Sequence, residues 1–249
     1  MPTFSELSRA AYCPRQLYYA RKHDDEGPPA SVENTQQLAF RYRELREADD
    51  ETLAAVPIER SPAAYREALE SLSTRPIWEG LCEPAETDYY VEGKDCAGIL
   101  HKIIPGEPPT PTLISPGEPP DNGVWNPQTV RAVAAAKALA WERNEEIPRT
   151  LIEYPAVGVV RDVPLTTRRT ATYRQVLRTV QAMDGPPPRV NDSRCESCEY
   201  RTAGGVSPRS LKSLLGLEGD YFLSSHVAIF PASGPRPVTL RVARANTVP

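Results

Sequence analysis

Residues 87–115 read TDYYVEGKDCAGILHKIIPGEPPTPTLIS, and this stretch decides the fold of the chain. Thr87–Val91 and Cys96–Ile104 are rich in β-branched, aromatic and other apolar residues, as strands are. A proline-rich connection, Gly106–Pro111, leads to a short apolar strand, Thr112–Ser115. The stretch therefore predicts a β-meander at the centre of the protein.

Helices and two more strands are predicted after the meander. Asn126-Pro127 opens the clearest helix, which runs to about Arg143 with an alanine-rich face. Leu151–Tyr154 and Gly158–Val163 predict a hairpin pair of strands, and Thr166 or Thr167 caps a further helix. This order of elements is typical of a mixed α/β core.

The N-terminal segment predicts helices only. Ser5–Lys22 predicts two helices interrupted at Cys13, because Pro14 suits the first turn of a new helix. Val32–Ala54 predicts one long polar helix, and Ser61-Pro62 starts another that reaches Leu72. We therefore expect a helical cap over about residues 1–80, followed by the α/β core over about 85–185.

The composition places the protein among soluble chains with a real core. The 249 residues are 40% hydrophobic, and no apolar run is long enough to span a bilayer. No secretory signal is visible, so we expect a cytoplasmic protein without a membrane partner. Five cysteines, an odd number, favour a metal site or buried thiols over a disulfide framework in that compartment.

Charge alone does not announce a nucleic-acid binder, since the formal net charge is −4. The charge is uneven, however, and a later stretch is rich in arginine. A groove lined from that stretch would hold phosphates, although a solvated helix face explains the same pattern. The arginines of this stretch are Arg161, Arg168, Arg169, Arg174 and Arg178.

The two ends of the chain carry the motifs that point to a family. Ala11–Tyr19 reads AYCPRQLYY, and Cys195 and Cys198 form a late Cys-x-x-Cys pair. Together they resemble the CRISPR-associated Cas-four exonucleases, which are RecB-like members of the PD-(D/E)XK nuclease superfamily. The resemblance extends over roughly residues 4–215. It implies a restriction-endonuclease-like mixed sheet flanked by helices, with a Cys-x-x-Cys segment over 190–205. Beyond the range of the resemblance, the apolar stretches Tyr221–Leu223, His226–Phe230 and Val238–Ala243 predict a small β-rich extension over 216–249.

The resemblance also implies a four-iron cluster held by four cysteines. Cys13, Cys195 and Cys198 match three of the ligand positions, whereas the fourth falls on Gly204. An iron–sulfur site with one distant cysteine and a late pair joins the chain ends. With three ligands, a labile cluster, a zinc ion or no metal at all remain open, and the thiols alone suit burial as small hydrophobes.

The nuclease positions depart further from the family pattern. The resemblance implies an Asp on one strand and a Glu-x-Lys on the next, which together hold Mg²⁺ or Mn²⁺. His101 falls at the Asp position, Ser115 falls at the Glu position, and the Lys is missing. An upstream helical residue of the family corresponds loosely to Glu44. The Gln and Tyr of the next helix align with Val130–Ala135, where neither occurs.

An active site would need a replacement acid, because imidazole is a poor substitute for a carboxylate on magnesium. The acids close in sequence are Glu92, Asp95, Glu107 and Glu118.

Three functions follow from this pattern. The first is an inactive DNA-binding or scaffolding subunit in CRISPR adaptation or DNA repair, with single strands or DNA ends and adaptation proteins as partners. The second is a metal-dependent single-strand exonuclease with a rearranged site around His101. The third is a protein-interaction scaffold that does not bind nucleic acid. The residues expected to contact DNA in the first case are Arg131, Arg168, Arg169 and Arg174. Trp78, Trp125 and Trp141 are expected to be packing anchors rather than base-stacking platforms.

Overall fold

The computed structural model describes residues 1–23, 30–189, 193–196, 198 and 200. Contacts divide the chain into two units, Met1–Gly204 and Gly205–Pro249, and every described residue belongs to the first. The expected extension over 216–249 and the position of Gly204 lie outside the described residues.

Helices make up most of the N-terminal segment and flank the strands. In chain order they are α1 (Phe4–Tyr12), α2 (Pro14–Lys22), α3 (Ala30–Gln37), α4 (Tyr42–Glu47), α5 (Asp50–Ala54), α6 (Pro62–Ser73), α7 (Trp78–Cys82), α8 (Asn126–Arg143) and α9 (Thr167–Gln181). Short 3₁₀ turns occur at Leu38–Phe40, Pro155–Val157 and Ser193–Cys195. Within the described ranges, no helix combines the length and the apolar character needed to cross a bilayer.

Five strands form one mixed sheet in the order β1-β2-β3-β4-β5. They are β1 (Glu86–Glu92), β2 (Ala97–Ile104), β3 (Thr110–Ile114), β4 (Arg149–Tyr154) and β5 (Val159–Pro164). Neighbouring strands are antiparallel except β3 and β4, which are parallel and joined through α8. The predicted meander, the hairpin pair and the mixed α/β class are confirmed.

Helices cover both faces of the sheet and enclose two hydrophobic cores. One core lies under α1, α8 and α9, and the other lies under α4, α6 and α7. The alanine-rich face of α8 is buried, and its small side chains let the helix approach the sheet closely. A Cβ at Gly93 would lie only 2.6 Å from Cα of Ala138, so the turn after β1 needs glycine. The N-terminal helices therefore pack on different faces of the sheet. Helix α1 lies beside α8, whereas α4, α6 and α7 cover the other core.

Local capping explains why most predicted helices occur where expected. Cys13 ends α1 in an extended conformation and Pro14 begins α2. Ser61 Oγ accepts a hydrogen bond from Ala64 N, and Thr166 Oγ1 accepts one from Arg169 N, as N-caps do. These short-range signals confirm α6 and α9, and α8 has the predicted bounds.

The single long helix predicted over Val32–Ala54 is wrong, because three helices and a 3₁₀ turn fill this range. The helical path breaks at Arg41, and Asp49 caps α5 through Thr52 N. The break leaves the carbonyl of Ala39 free of the helix, and it accepts a hydrogen bond from Lys102 instead. A partner 63 residues away thus overrides local helix propensity.

Candidate functional site

Two neighbouring residues of β2 lie in separate polar groups on the two faces of the sheet. Successive side chains of a strand point to opposite faces. His101 meets β3 and the neighbourhood of Arg131 on α8. Lys102 meets α7 and the turn Leu38–Phe40. The predicted catalytic position and a residue with no predicted role are therefore adjacent in sequence and separated by the sheet.

His101 is held as a neutral imidazole. Its Nδ1 accepts a hydrogen bond from Ile114 N at 3.3 Å, so the ring proton resides on Nε2. Burial lowers the pKa of His101 to about 3, and the charges of Arg131 and Lys102 act in the same direction. Both ring nitrogens are consequently unsuited to metal ligation, since one lone pair is used and the other carries a proton.

Ser115 directly follows β3 and belongs to a hydrogen-bonded chain that includes α8. Its Oγ accepts from Gln128 Nε2 at 2.8 Å. Gln128 Oε1 in turn accepts from the hydroxyl of Tyr154 and from Trp125 N. Burial raises the pKa of Tyr154 to about 12, so its hydroxyl remains a donor at neutral pH. We call His101, Ser115, Gln128, Arg131 and Tyr154 the His101 cluster.

Gln128 is the site residue that sequence reasoning missed. The glutamine element of the family was placed at Val130–Ala135, whereas the glutamine that contacts the Ser115 position lies just before that stretch. Its position in the first turn of α8, three residues after Trp125, is the local signal that would have found it.

Arg131 brings an uncompensated positive charge to the His101 cluster. Its Nη1 donates to the carbonyl of Ile114 at 3.3 Å, whereas its enclosed Nε has no hydrogen-bond partner among the described residues. Burial lowers the pKa of Arg131 to about 10, and no carboxylate in the described part of the chain pairs with it. Arg161 likewise has an enclosed Nε without a partner in the described ranges, and its positive charge acts on Tyr154.

A cavity of about 330 Å³ lies beside Arg131, between α8 and the two N-terminal helices. Among the described residues, its wall includes side chains with hydroxyl, amide and guanidinium groups and no acidic side chain. The lining residues are Ser5, Ser8, Arg9, Tyr12, Gln16, Pro127 and Arg131. Arg131 is therefore shared between the His101 cluster and a cavity whose wall carries two guanidinium side chains.

Lys102 forms a sealed ionic group on the opposite face. Its Nζ donates to Glu153 Oε2 at 2.9 Å, to the carbonyl of Ala39 at 2.7 Å and to that of Leu81 at 2.9 Å. Thr112 Oγ1 donates to Glu153 Oε1 at 2.7 Å. The side chains of Lys102 and Glu153 are both 0% exposed. We call Lys102, Glu153 and Thr112 the Lys102 network, which is closed to any ligand.

The structure does not bring Glu44 to the predicted site. Glu44 lies on α4, which packs with α6 and α7 around the second core. Its exposed carboxylate pairs with Arg41, and that contact lowers the pKa of Glu44. The acids considered as replacements, Glu92, Asp95, Glu107 and Glu118, are all exposed.

The four arginines predicted to contact DNA fall into two environments. Arg131 belongs to the His101 cluster, whereas Arg168, Arg169 and Arg174 lie along α9. Arg168 and Arg174 are exposed, and Arg169 Nη1 donates to the carbonyl of Pro164 at 2.9 Å. No hydrogen bond of the described residues connects the arginines of α9 to Arg131.

The predicted packing role of the tryptophans is confirmed only for Trp78, which is 6% exposed. It is wrong for Trp125 and Trp141, which are 53% and 60% exposed. Trp125 lies at the N-terminus of α8, where its Nε1 donates to the carbonyl of Glu118. An aromatic surface is therefore available next to the His101 cluster.

The late cysteine segment lies against the N-terminal helices. Arg194 donates a hydrogen bond to the carbonyl of Tyr12, and its guanidinium lies over the Tyr12 ring. Cys13 directly follows Tyr12 in the chain, and Cys195 directly follows Arg194. The ring of Tyr200 stacks on Tyr19 at 5.9 Å between centroids. The segment around Cys195 therefore contacts the helices around Cys13, where the resemblance implies a cluster.

Metal ligation is not evident in the described residues. No three His, Cys, Asp or Glu side chains there converge as a metal site. The His101 cluster does not fit Mg²⁺ or Mn²⁺, because these ions need oxygen anions and the cluster offers a protonated Nε2 and a guanidinium. The iron–sulfur cluster at Cys13, Cys195 and Cys198 stays a prediction.

Comparison with known proteins adds no assignment. No protein-family model matches the chain, and no curated protein matches it.

Proposed function

We propose that this protein is a Cas-four and RecB-like DNA-processing protein of the cytoplasm with an inactive nuclease site. It acts as a DNA-binding or scaffolding subunit in CRISPR adaptation or DNA repair. The motifs at the two chain ends support the family. The parallel pair β3 and β4, joined through α8 beside an antiparallel meander, is consistent with a restriction-endonuclease-like core.

The observation that carries the proposal is the His101 cluster. Two positions at which the family has carboxylates hold a neutral imidazole and a hydroxyl. Arg131 adds a positive charge, which repels a divalent cation. Cleavage by a metal-activated water is therefore unsupported at this place, whereas attraction for a phosphate remains.

DNA binding is supported by exposed groups on α9 and at the N-terminus of α8. Exposed Arg168 and Arg174 on α9 suit contacts to phosphates, which position a protein on nucleic acid without reading its sequence. Exposed Trp125 offers a ring on which an unpaired base stacks. We therefore expect single strands or DNA ends as ligands.

A cleavage assay and a binding assay test the proposal together. Purified protein is incubated with single-stranded and duplex DNA in Mg²⁺ and in Mn²⁺, and binding is measured by fluorescence anisotropy. We expect binding without cleavage, and loss of binding when four arginines become glutamine: Arg131, Arg168, Arg169 and Arg174. The matched control replaces four arginines of the cap: Arg41, Arg43, Arg60 and Arg66.

Two results would favour other functions. Cleavage that depends on Mn²⁺ and disappears in His101→Ala would make the protein an exonuclease with a rearranged site. Absence of DNA binding by the wild-type protein at low salt would leave protein interaction as its function. Iron and acid-labile sulfide analysis of anaerobically purified protein tests the cluster separately.

A further inference from the structure

We propose that the cavity between the N-terminal helices and α8 is a phosphate-binding site that works without a metal ion, with Arg131 as its cation. The inference rests on the proposed function only for the source of the phosphate, which is then DNA. It names a subsite and a ligand chemistry, and the geometry around Arg131 carries it.

The first argument is the charge of Arg131. Arg131 is half-buried, and a guanidinium that is partly removed from water is unfavourable unless an anion or sufficient acceptors compensate it. Arg131 has one carbonyl acceptor, Ile114 O, and an enclosed Nε without a partner in the described part of the chain. His101 beside it is neutral and supplies no negative charge. A bound anion would complete the site.

The second argument is the chemistry of the cavity wall. A phosphate accepts hydrogen bonds on several oxygens at once, so it suits a wall that offers several donors. Ser8 and Tyr12 contribute hydroxyls, Gln16 contributes an amide and Arg9 contributes a second guanidinium. Among the described residues, no carboxylate lines the cavity to repel an anion. Its volume, about 330 Å³, accommodates a phosphate and part of an attached nucleotide.

The third argument is the fixed direction of the guanidinium. The hydrogen bond from Arg131 Nη1 to the carbonyl of Ile114 ties the side chain to the end of β3. Because the guanidinium of Arg131 is already held in place before a ligand binds, little side-chain conformational entropy is lost on binding. Free phosphate and a phosphate of DNA share this chemistry, and the experiment separates them.

The experiment measures phosphate binding in EDTA by isothermal titration calorimetry. The probes are inorganic phosphate, a 5′-phosphorylated single-stranded oligonucleotide and the same oligonucleotide without the 5′-phosphate. Sodium chloride at matched ionic strength corrects for screening. We expect Arg131→Gln to weaken inorganic phosphate binding about 10- to 100-fold, as for loss of a charge-assisted hydrogen bond. Arg174→Gln, an exposed arginine of α9, is the matched control and should retain wild-type affinity for inorganic phosphate.

A second variant keeps Arg131 and guards against a folding defect. Gln16→Glu places a carboxylate in the cavity wall, where it should pair with the guanidinium and exclude phosphate while thermal unfolding remains cooperative. Equal phosphate binding by wild type, Arg131→Gln and Gln16→Glu would overturn the inference, as would binding that requires a divalent ion.

The DNA arms identify the source and separate the two proposals. Tighter binding of the 5′-phosphorylated strand, lost in Arg131→Gln, assigns the site to a DNA end. Equal binding of both strands, weakened in Arg131→Gln, assigns it to a backbone phosphate. Weakened inorganic phosphate binding in Arg131→Gln beside unchanged DNA binding assigns the site to free phosphate and leaves the proposed function standing, whereas unchanged binding of both ligands would overturn the inference alone. Phosphate binding without any DNA binding would do the reverse.

Discussion

The Lys102 network and the His101 cluster lie on opposite faces of β2, and they differ in how they compensate a cation, which is fully buried in the first and half-buried in the second. In the Lys102 network, the three ammonium donors meet one carboxylate and two carbonyls. In the His101 cluster, Arg131 has a carbonyl partner and no anion within the described residues. One charge is neutralised inside the protein, and the other is left for a ligand.

The difference shows how burial alone misleads in the search for a functional site. Lys102 is the more deeply buried of the two cations, and it forms a buried ion pair with Glu153. Because its three ammonium donors are all hydrogen-bonded and its side chain is fully buried, Lys102 stabilises the fold instead. The incompletely satisfied Arg131, which lies beside a cavity, is the group with capacity to bind.

The largest effect is expected from breaking the Lys102 network. Lys102→Met leaves the Glu153 carboxylate buried without its cation, so we expect a loss of about 3–5 kcal/mol in the free energy of unfolding. Urea denaturation followed by circular dichroism measures it. Lys102→Met combined with Glu153→Leu should recover much of the loss, because no charge is then left unpaired. A double variant as unstable as the sum of the single variants would contradict a coupled pair.

A smaller effect is expected from pH on the other face. The pKa of His101 is about 3 in the native state, against 6.5 for an ordinary histidine. Above pH 6.5 the imidazole is neutral in both states, and its contribution to stability is fully present. As the pH falls from 6.5 towards 3, the unfolded state binds a proton that the native state excludes, so stability decreases.

The loss should amount to at most about 1.4 kcal/mol per pH unit. His101→Gln removes this titration, and urea denaturation of both proteins between pH 7 and pH 4 measures the difference. Parallel stability curves for the wild type and His101→Gln would show that the imidazole is not held neutral.

The smallest effect on stability is expected at Arg131. Arg131→Met removes one hydrogen bond to Ile114, and it also removes an uncompensated charge, so the two effects should nearly cancel. We expect a change below about 1 kcal/mol in the free energy of unfolding. Urea denaturation in phosphate-free buffer tests this. A loss as large as that of Lys102→Met would make Arg131 a structural residue and remove the contrast between the two faces.

The sequence alone predicts those helices whose first residues carry a local start signal. Pro14 begins α2, Ser61 caps α6 and Thr166 caps α9, because each acts within one helical turn. The order of strands and helices likewise predicts a mixed α/β core, since the apolar pattern of each segment indicates its type.

The tertiary structure alone decides where long-range partners matter. The 3₁₀ turn at Leu38–Phe40 interrupts a predicted helix and presents Ala39 to Lys102. The Glu153 carboxylate meets Lys102 across 51 residues of chain, and no local pattern announces the pair. Gln128 joins Ser115 only because α8 crosses back over the sheet.

The sequence predicts which residues occupy the site, but it does not predict their protonation, pairing or burial. The sequence shows that His101 and Ser115 stand where the resemblance implies acidic residues. The neutral imidazole, the uncompensated Arg131 and the sealed Lys102 depend on burial and on partners brought from distant strands and helices. Burial and pairing set the cost of a charge, and both are properties of the folded arrangement.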